Sequence, residues 1–463
     1  MIKVSDFKKD LCIFCSSISA FNNIARKDNT LNLPIRILDN CIRKIDEFDF
    51  KDKDLDFISK QFDIKNKIYK EYDSNWKNKG DELLELDLLQ VFAGFLFLRV
   101  LLAKGNPNEA RTLKYINVCW KIFDSIELPD FLQEAKTCLN KIQDELFEHI
   151  SSKNNYSEKI SFNEQLETSF DGNDKFSTLP LNVIFYENPI GRAYLEMLYS
   201  LGLKPKKIIH IIPERDIVTK RKIGRFLPLG LRQKYTHSIQ SSKISFWPRN
   251  LMKKNKLMCD DLFKELEKSL NIKKSSIIGL LEHKSLESFS EEIIPVSYDG
   301  FKDKRFFDAI KSTSSEFSLY TGGGIIPKEI FEKASAKLLH IHPGFLPNIR
   351  GADCFYWSLI LSKRPSASCF IMNSGIDTGD IINAKFLPKL NLSDCTKEIN
   401  EIMTYRLIYS FVDPWIRAIV LRDTLHKTKN LTEVKSVKQN HSEGNTFHFM
   451  HKRMRELVVK SFF

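Results

Sequence analysis

The 463-residue sequence has no apolar stretch long enough to cross a bilayer. Its most apolar run, Leu88–Leu102 (LLQVFAGFLFLRVLL), carries Arg99 and falls short of the roughly 20 residues that a spanning helix needs. It reads as a buried helix, and no membrane association is expected. The N-terminus, MIKVSDFKKDL, lacks the apolar core of a secretory signal. Cysteine is sparse and scattered: nine residues, at 12, 15, 41, 119, 138, 259, 354, 369 and 395. An odd, dispersed set argues against a disulfide framework and suits a reducing cytosol, so the expected location is cytoplasmic. Cys12 and Cys15 have CxxC spacing, but no second pair completes a zinc site, and they read as buried helix cysteines. There is no internal repeat.

Positive charge, by contrast, is abundant and unevenly placed. The chain's net charge is +12, yet the segment from Lys204 to Cys259 alone holds fifteen Lys/Arg against two acids. Such a segment suits an anionic partner, whether a nucleotide, a phosphorylated substrate, RNA or a membrane surface, and equally suits a solvated basic face.

A chain of this length exceeds one hydrophobic core, so two or three domains are expected. Residues 1–175 read as an α-helical domain of unassigned role. Within it, Leu83–Leu102 is apolar nearly all round. Lys104-Gly105-Asn106-Pro107 then stops and restarts the helix, and Asn108–Asp124 sets Leu113, Ile116, Trp120 and Phe123 on one face, giving an αα-hairpin. The polar stretch Ser151–Ser177 reads as a linker. Residues 178–395 alternate strand and helix: strands at Leu181–Tyr186, Lys207–Ile212, Glu292–Tyr298, Phe317–Tyr320, Lys337–His342 and Ala367–Met372, with a basic insertion at about 213–290. This pattern predicts an α/β fold, a mostly parallel Rossmann-like sheet covered on both faces. Residues 396–463 read as a long helix, Thr396–Leu425, and a basic tail. A self-associating protein is one expectation for such a domain set.

In parallel sheets, ligands gather at the carboxyl ends of the strands. Two loops fall there: Gly322-Gly323-Gly324, and His342-Pro343-Gly344. In an extended strand His340 and His342 point the same way. With a carboxylate such as Asp377 they make either a three-ligand metal site or an acid–base pair poised by the carboxylate.

The order of these pieces resembles the formyltransferase catalytic domain, the enzymes that use 10-formyltetrahydrofolate as donor. That family's strand ends in Asn-x-His-Pro-Ser-Leu-Leu-Pro followed by a basic residue and Gly. Here it stands as His340-Ile341-His342-Pro343-Gly344-Phe345-Leu346-Pro347 with Arg350-Gly351. An Asp-x-Gly-x-Ile loop follows, here Asp377-Thr378-Gly379-Asp380-Ile381, and a turn before the first signature stands as Gly323-Gly324-Ile325-Ile326-Pro327. The resemblance covers roughly residues 181–390. It implies that His342 is the catalytic histidine and that Asp377 sets its protonation. It also implies that Gly324, Ile325, Ile326, Pro327, Gly375, Ile376 and Thr378 line the folate pocket, and that no metal is used. The family's asparagine, an oxyanion donor, is replaced by His340. An imidazole N–H, and more so an imidazolium, is expected to stand in for the amide. Gly344, where the family often has Ser, is expected to matter less. Arg350 is expected to hold its loop through Asp353.

The implied function is transfer of the formyl group to a primary amine of a small anionic acceptor, such as an amino sugar on a nucleotide. Transfer to initiator tRNA or hydrolysis of the formyl-folate shares the same residues. RNA ranks second as partner. Two other classes stay open: a metal-dependent His-x-His enzyme, and a non-catalytic scaffold on a degenerate formyltransferase fold.

Overall fold

In the computed structural model the described residues are 109–125, 130–152, 175–216, 218–311, 315–324, 326–396, 400–440 and 443–462. Cys12, Cys15 and the apolar run at 88–102 lie outside them. The chain divides into two compact units, one of residues 1–157 and 448–454, the other of 158–447 and 455–463.

In the first unit, helices α1 (Glu109–Ser125) and α2 (Asp130–Ser152) carry the core. Leu113, Ile116 and Trp120 are fully buried, as the helical spacing predicts, and α2 supplies Leu139, Leu146, Phe147 and Ile150. The Trp120 indole N–H donates to Gln143 Oε1 at 2.8 Å. His451 stacks on the Trp120 ring and the Arg453 guanidinium lies 4.5 Å from its centroid. Phe123 is outside the described side chains, as is the first arm of the expected hairpin.

The second unit is built on a seven-stranded sheet. Its strands are β1 (Ser177–Tyr186), β2 (Leu203–Pro213), β3 (Ile293–Tyr298), β4 (Phe317–Tyr320), β5 (Lys337–His342), β7 (Ser366–Ile371) and β8 (Ile381–Phe386), in the order β3-β2-β1-β4-β5-β7-β8. The first five are parallel; β7 is reversed, pairing antiparallel with both β5 and β8. A small second sheet pairs β6 (Ile349–Gly351) with β9 (Asn445–Phe447) in parallel. Strand order reverses around β1, so the crevice at the carboxyl ends of β1 and β4 is the topological switch point. Ile184, Ile209, Ile211, Phe306 and Leu338 pack one face of the sheet.

Local sequence explains the covering helices. α3 (Pro189–Ser200) begins at Asn188, whose side chain accepts the Gly191 N–H at 2.7 Å, with Pro189 at the first helical position. The basic segment forms α4 (Leu229–Ile244), α5 (Phe246–Lys254), α6 (Lys256–Leu270) and α7 (Lys274–Glu282). Further on come α8 (Lys304–Lys311), α9 (Lys328–Lys333) and α10 (Cys354–Ser362).

The expected helix Thr396–Leu425 is instead divided: α11 (Ser393–Thr396), α12 (Glu401–Leu407), a π-helical turn (Ile408–Val412) and α13 (Asp413–Lys427). Pro414 has no N–H for the turn before it, and the widened turn absorbs the missing bond. α13 is buried nearly all round, packed on α3 and β7. The last helix, α14, spans Lys452–Phe462. Among the described residues no helix is long and apolar enough to cross a membrane.

Candidate active site

The alternation of β5 leaves Ile341 in the interior and turns His340 and His342 together, as strand geometry requires. Arg417 on α13 donates through Nη1 to Ile341 O at 3.1 Å, clamping the peptide between the two histidines. Its guanidinium is held in turn by Asp413 Oδ2, at 3.0 Å from Nε and 2.9 Å from Nη2.

His342 is 2% exposed. Its Nε2 lies 3.0 Å from Ile349 O, and its Nδ1 faces Asp377 Oδ2 at 3.4 Å. A carbonyl only accepts, so Nε2 carries the proton. Nδ1 of the neutral ring then presents a lone pair beside a carboxylate, and a proton arriving there makes a charge-assisted bond. Burial holds the imidazole below the usual histidine range, against the pull of Asp377. The neutral ring is therefore a base whose conjugate acid has a waiting partner.

Asp377 sits in the left-handed region, φ 52°. Its Oδ2 also accepts the Gly351 N–H at 2.9 Å, and Gln439 Nε2 bonds the carbonyls of Asp377 and Gly379 at 2.9 and 2.6 Å. Gly351 has φ 104°, and a Cβ there would stand 1.9 Å from Phe447 O, so only glycine lets β6 pair with β9 and still offer its N–H to Asp377.

His340 is half-buried. Its Nδ1 lies 3.1 Å from Tyr320 O, so Nδ1 is the protonated nitrogen and Nε2 is an acceptor. Burial and the Arg417 charge push its pKa down to about 4, against Asp377 and the Tyr320 carbonyl. The expectation of an N–H, or an imidazolium, standing in for an amide donor is thus corrected: at neutral pH the ring is uncharged, its one N–H is committed to Tyr320 O, and the remaining nitrogen is a base.

Stability follows. Above pH 6.5 His340 is neutral in folded and unfolded chains alike and contributes nothing. Below it the unfolded chain takes a proton that the folded chain refuses until about pH 4, so stability falls as pH drops through that window, by up to about 1.4 kcal/mol per pH unit for one proton. His340→Asn is expected to flatten this slope in chemical denaturation series at stepped pH.

Position 344 matters more than the sequence suggests. A Cβ on Gly344 would stand 2.6 Å from Ile349 O and 2.8 Å from His342 Nε2, squarely on the bond between them. Glycine here is what allows His342 to bond Ile349. Ser368 fixes the turn, donating to Gly344 O at 2.7 Å and accepting the Leu346 N–H at 3.0 Å.

The remaining predicted residues divide. Ile326 is buried in the core against the sheet, and Pro327 precedes α9. Gly324 is exposed with φ 89°, and Ile325 lies outside the described residues. In the loop before β8, Gly375 N and Thr378 Oγ1 both donate to Asn373 Oδ1, at 3.0 and 2.8 Å, and Ile376 stands 41% exposed. Arg350 does not pair with Asp353. It donates to Glu443 O at 3.3 Å, while Asp353 takes the hydroxyls of Tyr405 and Tyr409 at 3.0 and 2.7 Å and lies 3.8 Å from Arg455. Sequence reasoning missed Arg417, Asp413, Gln439 and Ile349. They act through a buried helix, an amide and a backbone carbonyl, none of which carries a motif. Among the described residues no three His, Cys, Asp or Glu gather as metal ligands.

Known proteins resemble this part of the chain. The formyl transferase family model matches residues 280–403, which hold β5, both histidines and Asp377. Over 124 residues the chain is 30% identical to a methionyl-tRNA formyltransferase of Thermodesulfovibrio yellowstonii, covering 26% of this chain and 40% of that protein. A second methionyl-tRNA formyltransferase, of Clostridioides difficile, is 35% identical over 83 residues, 18% of this chain and 27% of that one. The chain thus spans less than half the length of these curated relatives. Among solved structures, a sugar N-formyltransferase from Shewanella aligns with 61% of this chain and 87% of its own at 14% identity and a TM-score of 0.31. The formyltransferase PseJ from Anoxybacillus kamchatkensis aligns with 36% of this chain and 78% of its own at 20% identity and a TM-score of 0.25. The two histidines of β5 and the aspartate that answers them all fall within the segment that the formyl transferase family model matches.

Proposed function

We propose that the protein moves a formyl group from 10-formyltetrahydrofolate to a primary amine on a small anionic acceptor, an amino sugar carried on a nucleotide being the class that fits best. The observation that carries this reading is His342 Nδ1 facing Asp377 Oδ2 at the carboxyl end of β5, with His340 two residues before it. The folate supplies the activated formyl carbon. Its fit rests on the switch-point crevice, where Tyr186 packs edge-on against Tyr298 and Tyr320 and keeps a buried hydroxyl without a partner, and on the exposed Ile376. Gly324, Pro327, Gly375 and Thr378 contribute the loops on which such a ligand would rest.

The chain's own groups manage the proton. As the amine nitrogen bonds the formyl carbon it must shed a proton, and the departing folate nitrogen must gain one. His340 Nε2, neutral and open, takes the first and hands it to the folate nitrogen as the bond from that nitrogen to the formyl carbon breaks. His342, hydrogen-bonded at Nε2 and facing Asp377 at Nδ1, steadies positive charge at the end of β5. Gly344→Ala is expected to cost about a hundredfold in kcat with little change in KM, because it displaces His342 without touching the ligand loops. Steady-state kinetics beside a thermal melt would check this.

The basic segment supports the anionic acceptor. Arg215 and Lys222 share Asp299, and Lys243 pairs with Asp216, so part of the charge is internal. Lys234, Arg249, Lys253 and Lys254 add cations along α4 and α5. The same charge and the curated relatives favour a second reading, an aminoacylated tRNA as acceptor. Release of tetrahydrofolate, followed with a nucleotide-linked amino sugar and with methionyl-tRNA, separates the two. Release with neither, but with water, would make the protein a hydrolase, and no release at all would sink the transfer reading.

A further inference from the structure

A cavity of about 240 Å³ opens between the last turns of α3, the start of α7 and α13. α3 leaves the carboxyl end of β1 and returns to the start of β2, so its last turns lie at the amino ends of the strands, opposite the histidines. Glu196, Tyr199, Lys273, Ser276, Lys284 and Arg422 are in its wall.

Arg422 is 6% exposed. Its Nε donates to Asp423 Oδ1 at 3.0 Å, but the other oxygen of Asp423 already takes Lys385 Nζ at 2.6 Å. One carboxylate therefore serves two cations. Among the described residues neither Nη of Arg422 has a partner, and both remain open to the space that Arg422 lines. Lys284 is matched by Glu196 at 3.0 Å, whereas Lys273 has no ion-pair partner among the described residues. The first turn of α7, with Ser275 and Ser276, adds a helix N-terminus to the same wall. A buried guanidinium with idle donors and surplus charge asks for an anion.

We propose that this cavity binds the phosphate group of a small organic phosphate, at a site separate from the formyl-transfer centre. A tetrahedral anion presents oxygens in several directions and can meet the Arg422 fork, a lysine and a serine at once. A planar carboxylate has only two oxygens to share among them. Tyr199, Met197 and Ile272 give the organic part an apolar wall.

The test uses the full chain and inorganic phosphate, titrated calorimetrically at low ionic strength. Wild type is expected to bind saturably at one site outside the histidine centre, and His342→Ala to bind alike. Arg422→Gln is expected to weaken binding at least about tenfold, the loss of a charge-assisted fork. Ser275→Glu keeps the fold uncomplicated, because Ser275 is exposed and an acid in a first helical turn is favourable. Its carboxylate should weaken phosphate comparably. Absence of saturable binding in wild type, unchanged affinity in Ser275→Glu, or loss of binding in His342→Ala would each overturn the proposal. None of these outcomes bears on whether formyl transfer occurs.

Discussion

His342→Ala is expected to lower kcat/KM for formyl transfer by about a thousandfold, within the range for removing a preorganised charge-stabilising group. The geometry makes the loss specific. Nε2 is tied to Ile349 O, so the ring cannot swing, and the only nitrogen that can change its proton faces Asp377. Removing the imidazole also leaves Asp377 without the ring that faces it, though Gly351 N–H still holds Oδ2. The carboxylate and its loop should therefore keep their place. Asp377→Asn tests the same pair from the other side: an amide cannot answer a charge on Nδ1, so the rate should fall by a comparable factor while folate binding persists. Both variants should melt close to wild type. The measurement is single-turnover formyl transfer with donor in excess, alongside donor titration. Equal rates for wild type and His342→Ala would remove the histidine from the mechanism.

The largest effect on stability is expected at Arg417→Met, at about 4 kcal/mol. Asp413 is fully buried and its charge is answered by Arg417 alone among the interactions described, through two nitrogens. Without the guanidinium an uncompensated carboxylate remains in the middle of the unit, and Ile341 O loses its donor. Asp413→Leu together with Arg417→Met should recover much of the loss, since an apolar pair of similar volume avoids desolvating two ions. Guanidinium denaturation of both singles and the double gives the coupling directly. Activity should not recover in the double variant, because the Ile341 carbonyl stays unclamped beside the histidines. A double variant with full activity would show that the clamp is only structural.

Much of the strand framework was legible because the parallel strands are buried on both faces and so read as short apolar runs: Phe317–Tyr320 and Lys337–His342 fall where the pattern put them. β8 escaped because IINAKF is only half-buried and carries Asn383 and Lys385 toward α13, breaking the apolar run. The antiparallel turn of β7 is invisible locally, since direction is a property of the connection. His342 and Asp377 were legible as a pair because both stand in short, spaced signatures. The tautomer of His340 was not, because it is set by a backbone carbonyl of the neighbouring strand, twenty residues earlier in the chain. The role of Gly344 was hidden for the same reason: what a missing Cβ permits depends on Ile349 O arriving opposite it.

The parallel pairing of β6 with β9 has a practical consequence for anyone dissecting the chain. The family match ends at residue 403, but Gln439 grips the carbonyls on either side of Thr378, and Asn445–Phe447 zips onto the segment that supplies Gly351 to Asp377. A fragment trimmed to the matched region would keep every signature residue and lose the splint that sets the aspartate. The smallest piece of this chain that keeps the site intact is defined by what braces it, and that brace is written more than thirty residues beyond the end of the family match.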